Sequence, residues 1–151
     1  MKQLREGGFL ITRIHQLAGR LFAGKLKEYN LNEINPAQGR ILFVLWQKDD
    51  ISILELAKKT SLGKSTLTSM LDRLEEAGYL ERIPSGSDRR KIIIKLSAKD
   101  RKLRNIYKKV SNEMTELFYN GFSAGEISEF EKYLRQILNN LTAFERQTKN
   151  D

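Results

Sequence analysis

At 151 residues, with 40% hydrophobic and 30% charged side chains, the chain can bury one core unaided, and no apolar run or leader takes it out of the cytoplasm. It has no cysteine and one histidine, which excludes disulfides, thiolate sites and a histidine metal cluster, so neither metal nor cofactor is expected. The net charge of +8 is concentrated: from Glu81 to Lys109 eleven Lys or Arg stand against three acids, a difference of +8, and such a patch predicts a polyanionic partner where a diffuse excess would mean only solvated helix faces.

From Glu6 to Tyr29 the apolar residues Leu10, Ile11, Ile14, Leu17, Ala18, Leu21, Phe22 and Tyr29 recur at helical spacing, in a stripe broader than one neighbour requires. That stripe either packs within one domain or also meets a second subunit. Asn35-Pro36 opens a second helix, with Asn as cap and Pro where no amide is needed. Ala37, Ile41, Val44 and Leu45 form its buried face. Gln47 to Asp50 is a polar turn in which Asp49 and Asp50 read as turn formers, since no base or metal ligand completes a catalytic site.

Ser52 with Glu55 reads as a capping box that starts a short helix with Ile53, Leu56 and Ala57 inward. A turn, Thr60-Ser61-Leu62-Gly63, leads into a second helix, with Leu62 expected as a buried plug and Gly63 at the N-cap. Leu67, Met70, Leu71 and Leu74 form that helix's core face. Ser65, Thr68, Ser69, Asp72 and Arg73 point the other way, with Lys64 and Thr66 at the edges. Its first turns are cationic or neutral while Asp72, Glu75 and Glu76 make its end acidic, so only the N-terminal half can approach phosphate. Gly63-Lys64-Ser65 is not the end of a phosphate-binding loop, because the glycine required five residues earlier is Lys58 and a helix, not a strand, precedes it.

Gly78 is a left-handed helix end. Leu80 to Pro84 and Lys91 to Leu96 read as two strands around a loop, Ser85 to Arg90, with a cationic tip. A hairpin after a recognition helix is a wing, and arginine at its tip suits a narrow minor groove. Asp88 is expected to hold a neighbouring Arg by a charged hydrogen bond. Ser97 with Asp100 reads as a capping box for a long helix with Leu103, Ile106, Val110, Met114, Leu117 and Phe118 on one side. Gly121 breaks the chain. A third box, Ser123 with Glu126, opens a last helix bearing Ile127, Phe130, Leu134, Ile137, Leu138, Leu141 and Phe144 on one face, more apolar surface than a lone terminal helix can leave uncovered.

In this order of elements the chain resembles the MarR family of winged helix-turn-helix regulators. The most specific stretches are LAKKTSLGKSTLTSMLDRLEEAGYLER and SDRRKIIIKLSAKDR, in which Asp88 and Arg90 match the Asp-x-Arg pair of the family's wing. Ser61 stands where the family usually has glycine, and Gly63 where it usually has serine. The resemblance implies a mainly α (α+β) fold, one domain over 1–151, with a winged helix-turn-helix lobe at 35–98 and dimerisation helices from 6–30 and 99–146. It also implies a homodimer, a palindromic double-stranded operator, repression of transcription, and relief by a small aromatic or phenolic ligand. Two recognition helices would then enter major grooves roughly 34–36 Å apart.

DNA contacts are expected from Lys64, Ser65, Thr66, Thr68 and Ser69 on the helix and from Asp88, Arg89, Arg90 and Lys91 on the wing. Arg73 either joins them or makes an ion pair that positions the helix. A ligand cleft would lie among the first, second and fifth helices; His15, at the rim of the first helix's stripe, either meets an acidic ligand there or packs at an interface edge. The competing function is a winged-helix protein–protein module without DNA contact, whose wing should be short or neutral. No nucleophile–base pair, metal set or phosphate loop supports an enzyme.

Overall fold

Helix ends along this chain are closed by hydrogen bonds that neighbouring residues supply, and those closures set the element boundaries. The structure is a computed structural model that describes residues 2–31, 34–88 and 90–150. In chain order it contains α1 (Gly7–Glu28), α2 (Pro36–Gln47), β1 (Ile51–Ser52), α3 (Ile53–Thr60), α4 (Lys64–Glu76), β2 (Leu80–Pro84), β3 (Ile92–Leu96), α5 (Asp100–Phe118) and α6 (Ala124–Lys149). Two units are distinguished, Met1–Asn112 and Glu113–Asp151. Among the described residues no helix is long and apolar enough to cross a membrane.

In the first unit, α1 ends with Leu31 N–H donating to Leu26 O at 2.9 Å and Asn30, at φ 61°, donating to Lys27 O at 3.0 Å. Gly78, at φ 85°, closes α4 in the same way: Tyr79 N–H reaches Leu74 O and Gly78 N–H reaches Glu75 O. This paired bonding satisfies carbonyls that a helix end leaves free, and it requires a left-handed residue that glycine or asparagine adopts at least cost. α2 opens as expected on Asn35, whose side chain accepts from Gln38 N–H, and the Gln38 side chain returns the bond to Asn35 N–H.

Two of the three expected serine boxes differ. Ser52 accepts from Glu55 N–H, but the Glu55 carboxylate turns instead to Lys48 and Lys59, each at 3.4 Å. Ser97 donates its hydroxyl to Gly78 O, and Asp100 points into the core. Only Ser123 with Glu126 forms the complete reciprocal pair, at the start of α6 in the second unit.

The sheet has three antiparallel strands in the order β1-β3-β2. Its shortest member, β1, lies in what the sequence reads as a turn and helix cap; two residues carry too little pattern to betray a strand, and their pairing with Ile93 and Ile94 is non-local. β3 begins at Ile92 rather than Lys91, which closes the loop by accepting from Ser85 N–H. The ladder runs Leu80↔Leu96 to Pro84↔Ile92. Asp49, as the turn reading expects, accepts from Asp50 N–H and also takes Leu96 N–H at 3.0 Å.

The core gathers Ile41, Leu42 and Leu45 of α2, Leu56 of α3, Leu67, Leu71 and Leu74 of α4, Leu80 and Ile94 of the sheet, and Leu103 and Val110 of α5. Leu42 and Tyr107 are core residues that lie off the expected stripes, and Leu62 is only half-buried. Tyr107 packs between Phe22 of α1 (centroids 4.8 Å apart) and Trp46 of α2 (5.0 Å), and burial pushes its hydroxyl up to about 12. Gly39 makes room for it: a Cβ there would lie 1.9 Å from the Tyr107 hydroxyl oxygen.

Beside this cluster Asp100, 4% exposed, accepts from Trp46 Nε1–H at 2.8 Å through Oδ2, while its Oδ1 has no hydrogen-bond partner among the described residues. Burial raises its pKa; the Trp46 bond and the Arg104 charge oppose the rise, and Asp49 adds to it.

Because the folded pKa lies above the ordinary 3.8, ionising Asp100 opposes folding: stability falls as pH rises from that value through the folded one. Asp100→Asn keeps an acceptor for Trp46 and removes the charge. Urea unfolding followed by fluorescence of this single tryptophan should therefore show the variant gaining on the parent as pH rises through that window and level with it below.

Candidate nucleic-acid interface

The helix-turn-helix is built from α3 and α4. Thr60 anchors the turn by donating its hydroxyl to Leu56 O at 2.7 Å, and Arg40 of α2 reaches Thr60 O at 3.2 Å. Ser61 then takes a left-handed conformation, φ 56°, as the C-cap of α3. This is the position where the family usually has glycine, and the geometry gives the reason, since a Cβ disfavours that region. Gly63 is the N-cap of α4 and supplies no side-chain acceptor. The first turn of α4 carries no acid, so its free amides and positive dipole end remain available to an anion.

Leu67, Leu71 and Leu74 bury one side of α4, and Met70 is half-buried. Lys64, Ser65, Thr66, Thr68, Ser69, Asp72 and Arg73 are exposed. Thr68 donates its hydroxyl back to Lys64 O at 2.9 Å, which leaves its oxygen lone pairs facing outward as acceptors. Lys64, Ser65, Thr68, Ser69 and Asp72 line one shallow open surface.

Arg73 lies elsewhere, over a recess lined by Ile34, Asn35, Gln38, Leu74, Ala77 and Tyr79. It makes no ion pair among the described residues. The helix-positioning ion pair is made by Arg82 of β2, whose Nη2 lies 2.6 Å from Asp72 Oδ1 and 3.0 Å from Glu75 Oε1. Glu75 also accepts Arg82 N–H at 2.8 Å, and these side-chain and backbone bonds hold its carboxyl below the usual range. Sequence reasoning counts Arg82 within the basic patch. The available signal was its place two residues into a strand after the Gly78 exit, opposite the acids that end α4.

In the wing, Ser85 Oγ lies 3.1 Å from Ser87 Oγ, Lys91 N–H donates to Asp88 O, and Arg90 N–H donates to Asp88 Oδ1 at 3.0 Å. Asp88 thus holds Arg90 through its backbone amide, which closes the loop and leaves the guanidinium outside. Arg90 and Lys91 are exposed and Asp88 is half-buried. Arg89 lies outside the described residues.

Lys99 is withdrawn from the patch: its Nζ donates to Ala77 O at the end of α4 at 2.6 Å and stands 5.0 Å from the centre of the Tyr79 ring. His15 is exposed on α1. No group of three or more metal-ligating side chains occurs among the described residues.

Replacing Ser61 by Gly relieves the left-handed strain at the turn, set against the greater freedom glycine has when unfolded. The expected gain is about 0.5–1 kcal/mol, readable as a raised midpoint in urea unfolding.

Residues 34–92 match the family model described as MarR family. Over 106 residues the chain is 29% identical to the HTH-type transcriptional regulator YfiV of Bacillus subtilis, covering 70% of this chain and 64% of that one. It is also 29% identical over 133 residues to the multiple antibiotic resistance protein MarR of Escherichia coli, covering 87% and 90%. Among solved structures, a mutant of E. coli MarR complexed with operator DNA superposes with a TM-score of 0.75 at 27% identity, covering 91% of this chain and 99% of that one. A MarR regulator from Methanosarcina mazei reaches 0.78 at 22% identity, covering 94% of each, and shows the shared fold. Residues 34–92 thus match the MarR family, and over nine-tenths of its length the chain is similar to E. coli MarR structures of winged helix-turn-helix fold.

Proposed function

We propose that this protein is a cytoplasmic, homodimeric repressor that binds a palindromic double-stranded operator. The observation that carries the reading is the joint exposure of two basic or neutral surfaces: the first turns of α4, with Lys64, Ser65, Thr66, Thr68 and Ser69, and the wing, with Arg90 and Lys91. Hydroxyls and a lysine at a helix N-terminus suit base edges and phosphate in a major groove, and wing arginines suit a minor groove. The relative of known structure bound to operator DNA supports the same assignment.

The dimer is supported by two uncovered apolar faces. On α1, Phe9, Leu10, Ile14 and Leu17 are 63%, 45%, 44% and 50% exposed; on α6, Leu138, Leu141 and Phe144 are 57%, 64% and 67% exposed. Surfaces of this kind mark protein–protein contact. A lobe of 6–30 and 99–146 would then pair with its copy and carry two lobes of 35–98 to successive grooves. A small aromatic effector belongs to the same proposal. It is supported by the BpsR protein of Bordetella bronchiseptica, whose DNA binding is regulated by 6-hydroxynicotinic acid, and by the packed aromatic cluster that α1, α2 and α5 share here.

The test is a mobility-shift titration against duplexes from the protein's own upstream region at two salt concentrations, with the mass measured by sedimentation. A dimer that binds one duplex preferentially is expected. Arg90→Ala should weaken operator binding and lower the slope of log K against log salt by about one, with the dimer unchanged. A dimer that ignores every duplex at low salt would favour the protein–protein module instead.

A further inference from the structure

We infer that Arg82 and Glu75 form a clamp that locks the wing to the recognition helix, so that Arg82 is a positioning residue that sets operator discrimination rather than raw affinity for DNA. The inference rests on the DNA-binding reading above for its functional half and on geometry alone for its mechanical half.

The covalent path from α4 to β2 is three residues long, Ala77, Gly78 and Tyr79, with Gly78 in the left-handed region. Such a link sets a direction but leaves a pivot. β2 is also an edge strand, since the sheet order is β1-β3-β2. The hydrogen bonds that extend the β2–β3 pairing run from Ser97 N–H to Tyr79 O and from Ser85 N–H to Lys91 O. With the register Arg82↔Ile94, odd-numbered residues therefore bond across the ladder, and Arg82 turns its amide away from the sheet.

Glu75 meets that amide. Its Oε2 accepts Arg82 N–H at 2.8 Å and its Oε1 accepts the Arg82 guanidinium at 3.0 Å. The same guanidinium nitrogen lies 2.6 Å from Asp72, one turn back on the same face of α4. One strand residue is thus bound by main chain and side chain to two positions on the helix. A lone exposed ion pair would carry little weight, but Arg82 is only 25% exposed in its side chain and the backbone bond fixes the geometry.

Two grooves can be read together only if helix and wing keep a constant separation. A wing free to swing would have to be ordered on binding, at an entropic cost that falls hardest on the contact requiring both elements in register. Non-specific binding rests on phosphate charge and tolerates that freedom.

The chain has no cysteine, so spin labels can be placed cleanly at Ser69→Cys on α4 and Gly86→Cys on the wing. Pulsed electron-spin distance measurements should give a narrow distribution in the parent, a broad one in Arg82→Met and in Glu75→Gln, and partial recovery in Arg82→Lys. Identical distributions in all four would overturn the clamp. On DNA, Arg82→Met should lose about tenfold in affinity for the preferred duplex and much less for an unrelated one, with an unchanged salt slope. A slope lower by about one would make Arg82 a phosphate contact and overturn the inference. If the parent binds no duplex, the DNA-binding reading fails, and the distances alone decide the clamp.

Discussion

Leu67, Leu71 and Leu74 are 2%, 1% and 1% exposed, and their burial fixes the rotation of α4 about its own axis. Spaced four and three residues apart, they occupy one stripe of the helix, and the remaining positions have no freedom to turn inward. Burying each is worth about 2 kcal/mol, a substantial part of the roughly 5–15 kcal/mol that stabilises an ordinary domain. The partners are supplied by α2, through Ile41, Leu42 and Leu45, and by the sheet, through Leu80 and Ile94. With that side committed, Ser65, Thr68, Ser69 and Asp72 face solvent together, and the chemistry of the exposed surface becomes a consequence of core packing.

Charge is arranged on this frame by subtraction. The sequence concentrates eleven cations between Glu81 and Lys109, but the folded chain withdraws several of them. Arg82 is neutralised by Asp72 and Glu75, Lys99 closes the end of α4, and Lys109 stands 5.2 Å from the centre of the Tyr29 ring. What remains outward on the wing, among the described residues, is Arg90 and Lys91 at the loop and Lys95 on β3. The same pairing quiets the acidic end of α4, so the sign reversal along that helix is softer in three dimensions than in one.

Local features were legible in the sequence. The Asn35-Pro36 start, the Gly78 exit, the Ser123–Glu126 box and the leucine stripe of α4 each depend on residues within one or two turns of each other, which is the range over which spacing carries meaning. The missed features join distant residues. β1 pairs across about forty residues, Trp46 meets Asp100 across 54, and Tyr107 fits against Gly39 on another helix. The misread serine boxes share one cause. Ser52 and Ser97 have the right spacing, but other partners outcompete the reciprocal bond, nearby Lys48 and Lys59 for Glu55 and distant Trp46 for Asp100. In the candidate interface the outward face of α4 followed from its period, whereas the role divided between Arg73 and Arg82 did not.

The free side of β2 has a consequence beyond recognition. Of its three outward positions, Leu80, Arg82 and Pro84, the second has its amide occupied by Glu75 and the third has no amide to offer. On the opposite margin, β1 is only two residues long. Neither border of the sheet presents the run of unsatisfied donors that templates aggregation, so a small exposed sheet is kept from polymerising strand by strand.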